Sequence, residues 1–370
     1  MLRPYQNDIY HQVVSLIRKG RRRILIVSVT GSGKTVLASH FLKNCFNKGN
    51  SALFNVHRVE LVKQSAETFI RDGFPFGVIA PSFSEEYNKA IQVTSIMTLS
   101  RRMQKLNRRP NVIIWDECHH LAADNWSRIF HHFPDAIHIG LTATPERLDG
   151  KGLGEYFEEM VLGPSMADLI SDGYLTSYRI KGTPEKIDLS KVGKRMGDYI
   201  STDMALEVNT PRIRGNTLSQ WRKHANNLKT LVFCQNVNHS LDMTKEFNDA
   251  GLSAEHIDGG SDKGHRSQAL ERYKDSRTTL LSNVDLFGEG FDVPATQAII
   301  KLRKTLSLSL DLQVSGRVLR PIYHPRYTRE DLLKRECRLQ AIADSVKPKG
   351  IIIDQVGNWQ IHGFPDRSEE

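Results

Sequence analysis

Residues 24–35 read Ile24-Leu25-Ile26-Val27-Ser28-Val29-Thr30-Gly31-Ser32-Gly33-Lys34-Thr35. The apolar run Ile24 to Val27 is a buried strand, and the turn that leaves it is built to hold an anion. Gly31 and Gly33 let the backbone turn tightly, so that successive N–H groups converge on one point. Val36 to Asn44 then reads as a helix whose N-terminus faces the same point. In such a loop Lys34 reaches the outer phosphates of a nucleotide and Thr35 holds Mg²⁺ through its hydroxyl. Thr30 and Ser32 complete the loop. Ser28 stands where the full phosphate-loop pattern has Gly.

A chain of 370 residues has room for two ordinary domains. Its net charge of +9 suits a polyanionic partner, and is equally compatible with a basic surface of no consequence. Cys45, Cys118, Cys234 and Cys337 are far apart and form no Cys-x-x-Cys pair, which argues against structural zinc or an iron–sulfur cluster. They read as small buried residues in a reducing cytoplasm. No apolar run approaches the ~20 residues of a membrane span. The start of the chain lacks a signal peptide's apolar stretch, so the expected location is the cytoplasm of a bacterium or of an infected cell.

Strand-like runs at Ile24–Val29, Ala52–Val56, Ile91–Thr94, Val112–Asp116 and Ile137–Leu141 alternate with helix-like segments such as Arg58–Asp72 and Ser95–Leu106. This alternation predicts a parallel sheet covered on both faces, with ligands at the carboxyl ends of its strands. Residues 181–215 are loosely patterned and read as a linker or excursion. A second series follows, with strands at Leu231–Cys234, Ala254–Ile257, Thr279–Ser282, Ala298–Leu302 and Gly350–Asp354. Its helices are Ser240–Ala250 and Lys263–Lys274. The expected division is 1–180 for the first domain, 181–215 for the linker, 216–357 for the second domain and 358–370 for a polar, frayed tail.

Three further stretches carry chemistry. Asp116-Glu117-Cys118-His119 ends the strand Val112–Trp115. Asp116 there anchors a metal, and Glu117 polarises the attacking water as general base. Thr142 and Thr144, in Leu141-Thr142-Ala143-Thr144-Pro145, report on that acidic pair or on the second domain. Gln313-Val314-Ser315-Gly316-Arg317-Val318-Leu319-Arg320 spaces two arginines three apart, which on a helix shares one face. Arginine grips and neutralises a transferring phosphoryl group. Ser282 to Asp292, interrupted by Gly288 and Gly290, lies upstream and orders the arginines or touches a backbone phosphate. The basic clusters Arg18 to Arg23 and Arg101 to Arg109 are either phosphate contacts or solvated faces. The five histidines between His119 and His138 match no zinc spacing.

Taken in order, these stretches resemble the motifs of the superfamily 2 helicases, in a Asp-Glu-Cys-His variant. Motif I matches Thr30–Thr35, motif II Asp116–His119, motif III Thr142–Thr144, motif V Ser282–Asp292 and motif VI Gln313–Arg320. Weaker matches are Arg58–Gln64, Thr94-Ser95 and Leu231–Cys234. The resemblance implies two RecA-like domains, each a mostly parallel sheet with helices on both faces, which hydrolyse ATP with Mg²⁺ at their interface.

By the same resemblance, Gln6 in Arg3-Pro4-Tyr5-Gln6 reads the adenine edge. Lys34 and Thr35 bind phosphate and Mg²⁺, Gln313 and Arg317 sit at nucleotide and coupling positions, and Arg320 is the arginine finger. Arg58, Thr94 and Ser95 match nucleic-acid contacts, and Thr142, Thr144, Gly290 and Asp292 match coupling positions. The long Gln motif and the Pro-Thr-Arg-Glu-Leu run of RNA-directed members are missing, which favours DNA. Gly350 to Pro365 is similar to the end of phage and prophage members, so replication or recombination proteins are the expected partners. A helicase or translocase, a DNA-stimulated ATPase that remodels branched DNA, and an ATP-gated clamp all remain open. An intact Glu117 and Arg320 argue against the clamp.

Overall fold

The computed structural model describes residues 2–121, 123–144, 152–182, 187–195, 197–286 and 296–367. They form two compact units, residues 1–165 and 166–370.

In the first unit the strands are β1 (Arg23–Val27), β2 (Ala52–Val56), β3 (Gly77–Ile79), β4 (Ile91–Ser95), β5 (Val112–Asp116), β6 (Ile137–Thr142) and β7 (Glu159–Leu162). They make one parallel sheet in the order β3-β4-β2-β5-β6-β1-β7. Its helices are α1 (Pro4–Arg18), α2 (Lys34–Asn47), α3 (Val59–Asp72), α4 (Ile96–Arg102) and α5 (Asp124–His132). The inner strands are buried along nearly their whole length because both faces are covered. One face packs Ile9, Val13, Leu37, Phe41, Phe54 and Phe69 beneath α1 to α3. The other packs Leu99, Trp115, Trp126, Phe130 and Phe157 beneath α4 and α5. Helix α3 shows the sequence logic plainly. Leu61, Val62, Ser65 and Phe69 fall on its buried stripe, and Gly73 ends it in the left-handed conformation (φ 73°).

The second unit holds β8 (Tyr178–Lys181), the hairpin of β9 (Lys194–Arg195) and β10 (Asp198–Tyr199), then β11 (Thr230–Phe233), β12 (Ala254–Ile257), β13 (Leu280–Asn283), β14 (Ala298–Lys301) and β15 (Gly350–Asp354). Its main sheet runs β12-β13-β11-β14-β15-β8, again parallel throughout. The helices are α6 (Met166–Ser171), α7 (Ser201–Val208), α8 (Pro211–His224), α9 (Val237–Asp249), α10 (Lys263–Lys274), α11 (Leu308–Leu319), α12 (Arg335–Ala343) and α13 (Asn358–His362). Each unit is thus a RecA-like α/β layer structure.

Three expectations shift here. The division falls at residue 165 rather than 180, because β8 pairs with β15 and belongs to the second sheet. Within 181–215, α7 and α8 send Met204, Val208 and Ile213 into the second core, and Asp198 accepts hydrogen bonds from the Thr305 hydroxyl and the Leu306 N–H. The described part of the tail is folded as well. Asn358 is buried and donates to the Arg303 carbonyl, while Asp354 accepts from the N–H groups of Val356, Gly357 and Trp359. Polar residues read as solvated are here paired and inside.

His138 gives a pH test of the first core. It stacks on Trp115 with ring centroids 5.9 Å apart. Trp115 Nε1–H donates to His138 Nδ1 at 3.1 Å, which leaves His138 Nε2–H to donate to the Phe133 carbonyl at 2.9 Å. Burial pulls its pKa down to about 4, so the folded state keeps the ring neutral where the unfolded chain protonates near 6.5. Its stability contribution is therefore complete above about pH 6.5 and erodes as pH falls toward 4, by about 1 kcal/mol per pH unit. Urea midpoints of wild type and His138→Asn, compared from pH 7 to pH 4.5, should converge as the pH drops. Parallel curves would show that His138 does not titrate as stated.

Candidate active site

The phosphate loop leaves the carboxyl end of β1, Thr142 closes β6, and Asp116 closes β5. These three strands are consecutive in the sheet, so all three ends meet on one edge. Lys34 opens α2, with Gly33 as its N-cap in the left-handed conformation (φ 84°) and Gly31 likewise (φ 87°). A Cβ at Gly33 would come within 2.6 Å of Gln6 Nε2, so glycine is required there on two counts. Lys34 Nζ donates to the Ser28 carbonyl at 3.1 Å and stands 3.9 Å from Glu117 Oε1. The loop and the acidic pair, far apart in sequence, therefore share one site. Ser28 is accommodated because its hydroxyl bonds that of Ser32 at 2.7 Å and its N–H donates to the Thr142 carbonyl at 2.9 Å.

The loop is braced from α1. Gln6 Nε2 donates to the carbonyls of Ser32 (2.9 Å) and Gly33 (3.2 Å), and Gln6 Oε1 accepts the Arg3 N–H at 3.0 Å. Both ends of the Gln6 amide are engaged by backbone, so Gln6 braces the loop. Tyr5 is a partner that the motif reading passed over. Its hydroxyl donates to the Ser32 carbonyl at 2.6 Å and accepts from Arg3. Its signal was its position beside Gln6 in the same four-residue run.

Glu117 is a non-glycine residue held left-handed (φ 50°, ψ 52°), a conformation that costs about 1 kcal/mol or more and marks functional sites. Its Oε2 lies 3.4 Å from His119 Nδ1. The Thr142 hydroxyl lies 3.5 Å from the same nitrogen and donates to the Thr144 carbonyl at 2.8 Å. Motifs II and III are thus joined through His119. Cys118 is fully buried, and burial with the adjoining carboxylates pushes its thiol well up, which makes it a packing residue.

The donor set fits a magnesium nucleotide. The Thr30 hydroxyl is buried with no hydrogen-bond partner among the described residues, Thr35 lies in the first turn of α2, and Asp116 is buried at the same edge. Mg²⁺ typically takes one or two protein oxygens and completes its shell with phosphate and water. Thr35 and Asp116 would hold it, and it would neutralise charge on the phosphates.

The remaining predicted residues divide. Arg58 is the N-cap of α3, half-buried at the carboxyl end of β2. Thr94 sits in the sheet opposite Asn55, wholly buried, and its hydroxyl donates to Asn55 Oδ1 at 2.5 Å. That bond ties β2 to β4. Ser95, at the start of α4, is also buried. Gly290 and Asp292 lie outside the described residues.

In the second unit, Gln313 and Arg317 are buried in α11, whereas Arg320 lies past the helix end with extended backbone (φ −63°, ψ 125°). The two arginines therefore do not share a helical face. The Arg320 carbonyl accepts from Lys347 Nζ at 2.7 Å, and burial pulls the guanidinium down to about 10. Among the basic clusters, Arg21 and Arg23 pair with Glu159 and Glu158, and Arg102 pairs with Glu85.

Residues 1–147 match the family model described as the type III restriction enzyme res subunit, and residues 214–321 match the helicase conserved C-terminal domain. A 51.5 kDa protein of a Lactococcus phage (isolate 7-9) is 34% identical over 92% of this chain and 67% of its own length. The chain belongs to the superfamily 2 helicases. Like the family it is an ATP hydrolase of two RecA-like units, and its Asp-Glu-Cys-His motif goes with a phage relative. IRC3 of Saccharomyces cerevisiae, named as an ATP-dependent helicase, is 30% identical over 88% of this superfamily 2 helicase and 50% of its own length, so the chain spans half of that relative. The type ISP restriction-modification enzyme LlaBIII, solved bound to DNA, matches with a TM-score of 0.68 and 17% identity, over 96% of this chain and 28% of its own; that likeness concerns the fold. Among the described residues no helix is long and apolar enough to cross a membrane.

Proposed function

We propose that this chain is an ATP-dependent helicase or translocase acting on DNA. The observation that carries the reading is the approach of Lys34 to Glu117 at the edge where β1, β5 and β6 end. A phosphate-binding cation and a candidate base on opposite sides of one small gap are what nucleotide hydrolysis needs. In this reading Lys34 and the loop N–H groups grip the phosphates, Thr35 and Asp116 hold Mg²⁺, and Glu117 takes a proton from the attacking water. Gln313, Arg317 and Arg320 join the same turnover, a role that rests on their place in the motif order. Arg58 holds a backbone phosphate of the strand. Preference for DNA is supported by the motif Ia run Asn55 to Leu61, which departs from the Pro-Thr-Arg-Glu-Leu form of RNA-directed members, and by the restriction-enzyme relatives.

One ATPase experiment tests this, run in parallel with single-stranded DNA, forked DNA, four-way junctions and RNA, with strand separation followed on the fork. DNA should stimulate turnover and the fork should open. Stimulation by RNA alone would overturn the DNA assignment. Stimulation by junctions without strand separation would replace the helicase with a remodelling ATPase.

A further inference from the structure

Five side chains form a continuous contact from the candidate base to the candidate strand-binding arginine, all within the first unit. Glu117 Oε2 lies 3.4 Å from His119 Nδ1. The rings of His119 and His120 are 4.2 Å apart, tilted by 43°. His120 meets the ring of His57 at 5.3 Å, tilted by 45°. Arg58 Nε–H donates to His57 Nε2 at 3.2 Å. The first and last members are the residues assigned above to hydrolysis and to strand binding.

We propose that His57 and His120 are positioning residues that couple strand binding at Arg58 to the setting of Glu117. The inference rests on the functional reading just given. Arg58 donates to the His57 ring nitrogen, and a backbone phosphate would compete with that acceptor. The phosphate offers the guanidinium two parallel charge-assisted bonds and wins. The His57 ring, released, shifts against His120. His120 has no room to yield toward the core, because Trp126 backs it at 5.7 Å and Trp126 is itself stacked on Trp115 at 5.9 Å. Close-packed rings pass such a displacement on rather than absorb it. The path left open is along the short 3₁₀ turn Cys118–His120, whose N-cap is Glu117. Glu117 sits in a left-handed well, so a small rotation of that turn re-aims its carboxylate away from Lys34 and His119. Strand binding then biases the setting of that turn, which is what coupling between sites requires.

The test measures ATP turnover of the full chain with and without saturating oligothymidylate, together with KM for ATP and Kd for the oligonucleotide. In His120→Ala the factor by which DNA stimulates kcat should fall about tenfold, within the usual range of coupling between sites. KM and Kd should be unchanged. His120→Phe, which keeps a ring in the stack, should restore most of the stimulation. Combined with Arg58→Ala, His120→Ala should add no further loss of stimulation. Wild-type stimulation in folded His120→Ala overturns the coupling and leaves the functional reading standing. An equal drop in kcat with and without DNA also overturns it, since that would mark a static support for Glu117. A wild-type enzyme that neither DNA nor RNA stimulates removes the functional reading and this inference together. If His120→Ala does not fold, His57→Leu carries the same expectations.

Discussion

Replacing Arg320 by alanine should cut ATP turnover by about 10³–10⁵-fold, the scale of arginine fingers in nucleotide hydrolases. The reason is electrostatic. Phosphoryl transfer spreads negative charge over the departing group, and a guanidinium aimed at it in a shielded place is worth far more than one in water. The backbone around Arg320 is held in place. Helix α11 stops at Leu319, Thr176 N–H donates to the Leu319 carbonyl at 2.7 Å, and Lys347 Nζ donates to the Arg320 carbonyl. Lys347 is wholly buried, and burial together with the nearby Arg320 charge pulls its amine down to about 7. The Cα of Arg320 is thus held from two sides while its side chain leaves an extended backbone. Arg320→Lys should recover little, because a point charge cannot reproduce the planar fork. Steady-state kcat on protein whose circular dichroism matches wild type decides the matter. A loss below about tenfold would reassign the finger.

Lys34→Ala should lower turnover by at least about 100-fold, in line with loss of one preorganised donor at a developing charge. In this structure the amine rests on the Ser28 carbonyl and faces Glu117. A phosphate oxygen is the stronger acceptor, so the amine exchanges these contacts for the nucleotide. The fold should survive, because Tyr5 and Gln6 still brace the loop when the Lys34 bond to the Ser28 carbonyl is lost. Turnover with this variant, measured beside nucleotide binding, checks both halves of the statement. Wild-type turnover would remove Lys34 from the site.

Where chemistry is written in consecutive residues, the chain could be read directly. Strand, glycine turn and Lys-Thr follow one another within residues 24–35, and backbone geometry leaves that order few alternatives. Strands such as Ala52–Val56 and Gly350–Asp354 were legible for a similar reason, since a strand covered on both faces is built mainly of apolar residues. Thr94 was not legible. Nothing in its own run says that Asn55 stands opposite it in register and takes its hydroxyl inside. Arg320 was misplaced because a spacing of three implies a shared face only while the helix lasts.

The amino-acid order by itself determined two parallel α/β units and the strand, turn and helix of the phosphate loop, because those depend on local periodicity and on glycines at particular steps. Tertiary structure alone decided how the site is held. Gln6 and Tyr5 grip the loop, His119 joins Glu117 to Thr142, and His57 meets His120 across the sheet edge. Apart from the Glu117–His119 approach, these contacts join residues from about twenty to more than sixty positions apart, and side chains at such separation meet only once strand order and register have brought their elements together.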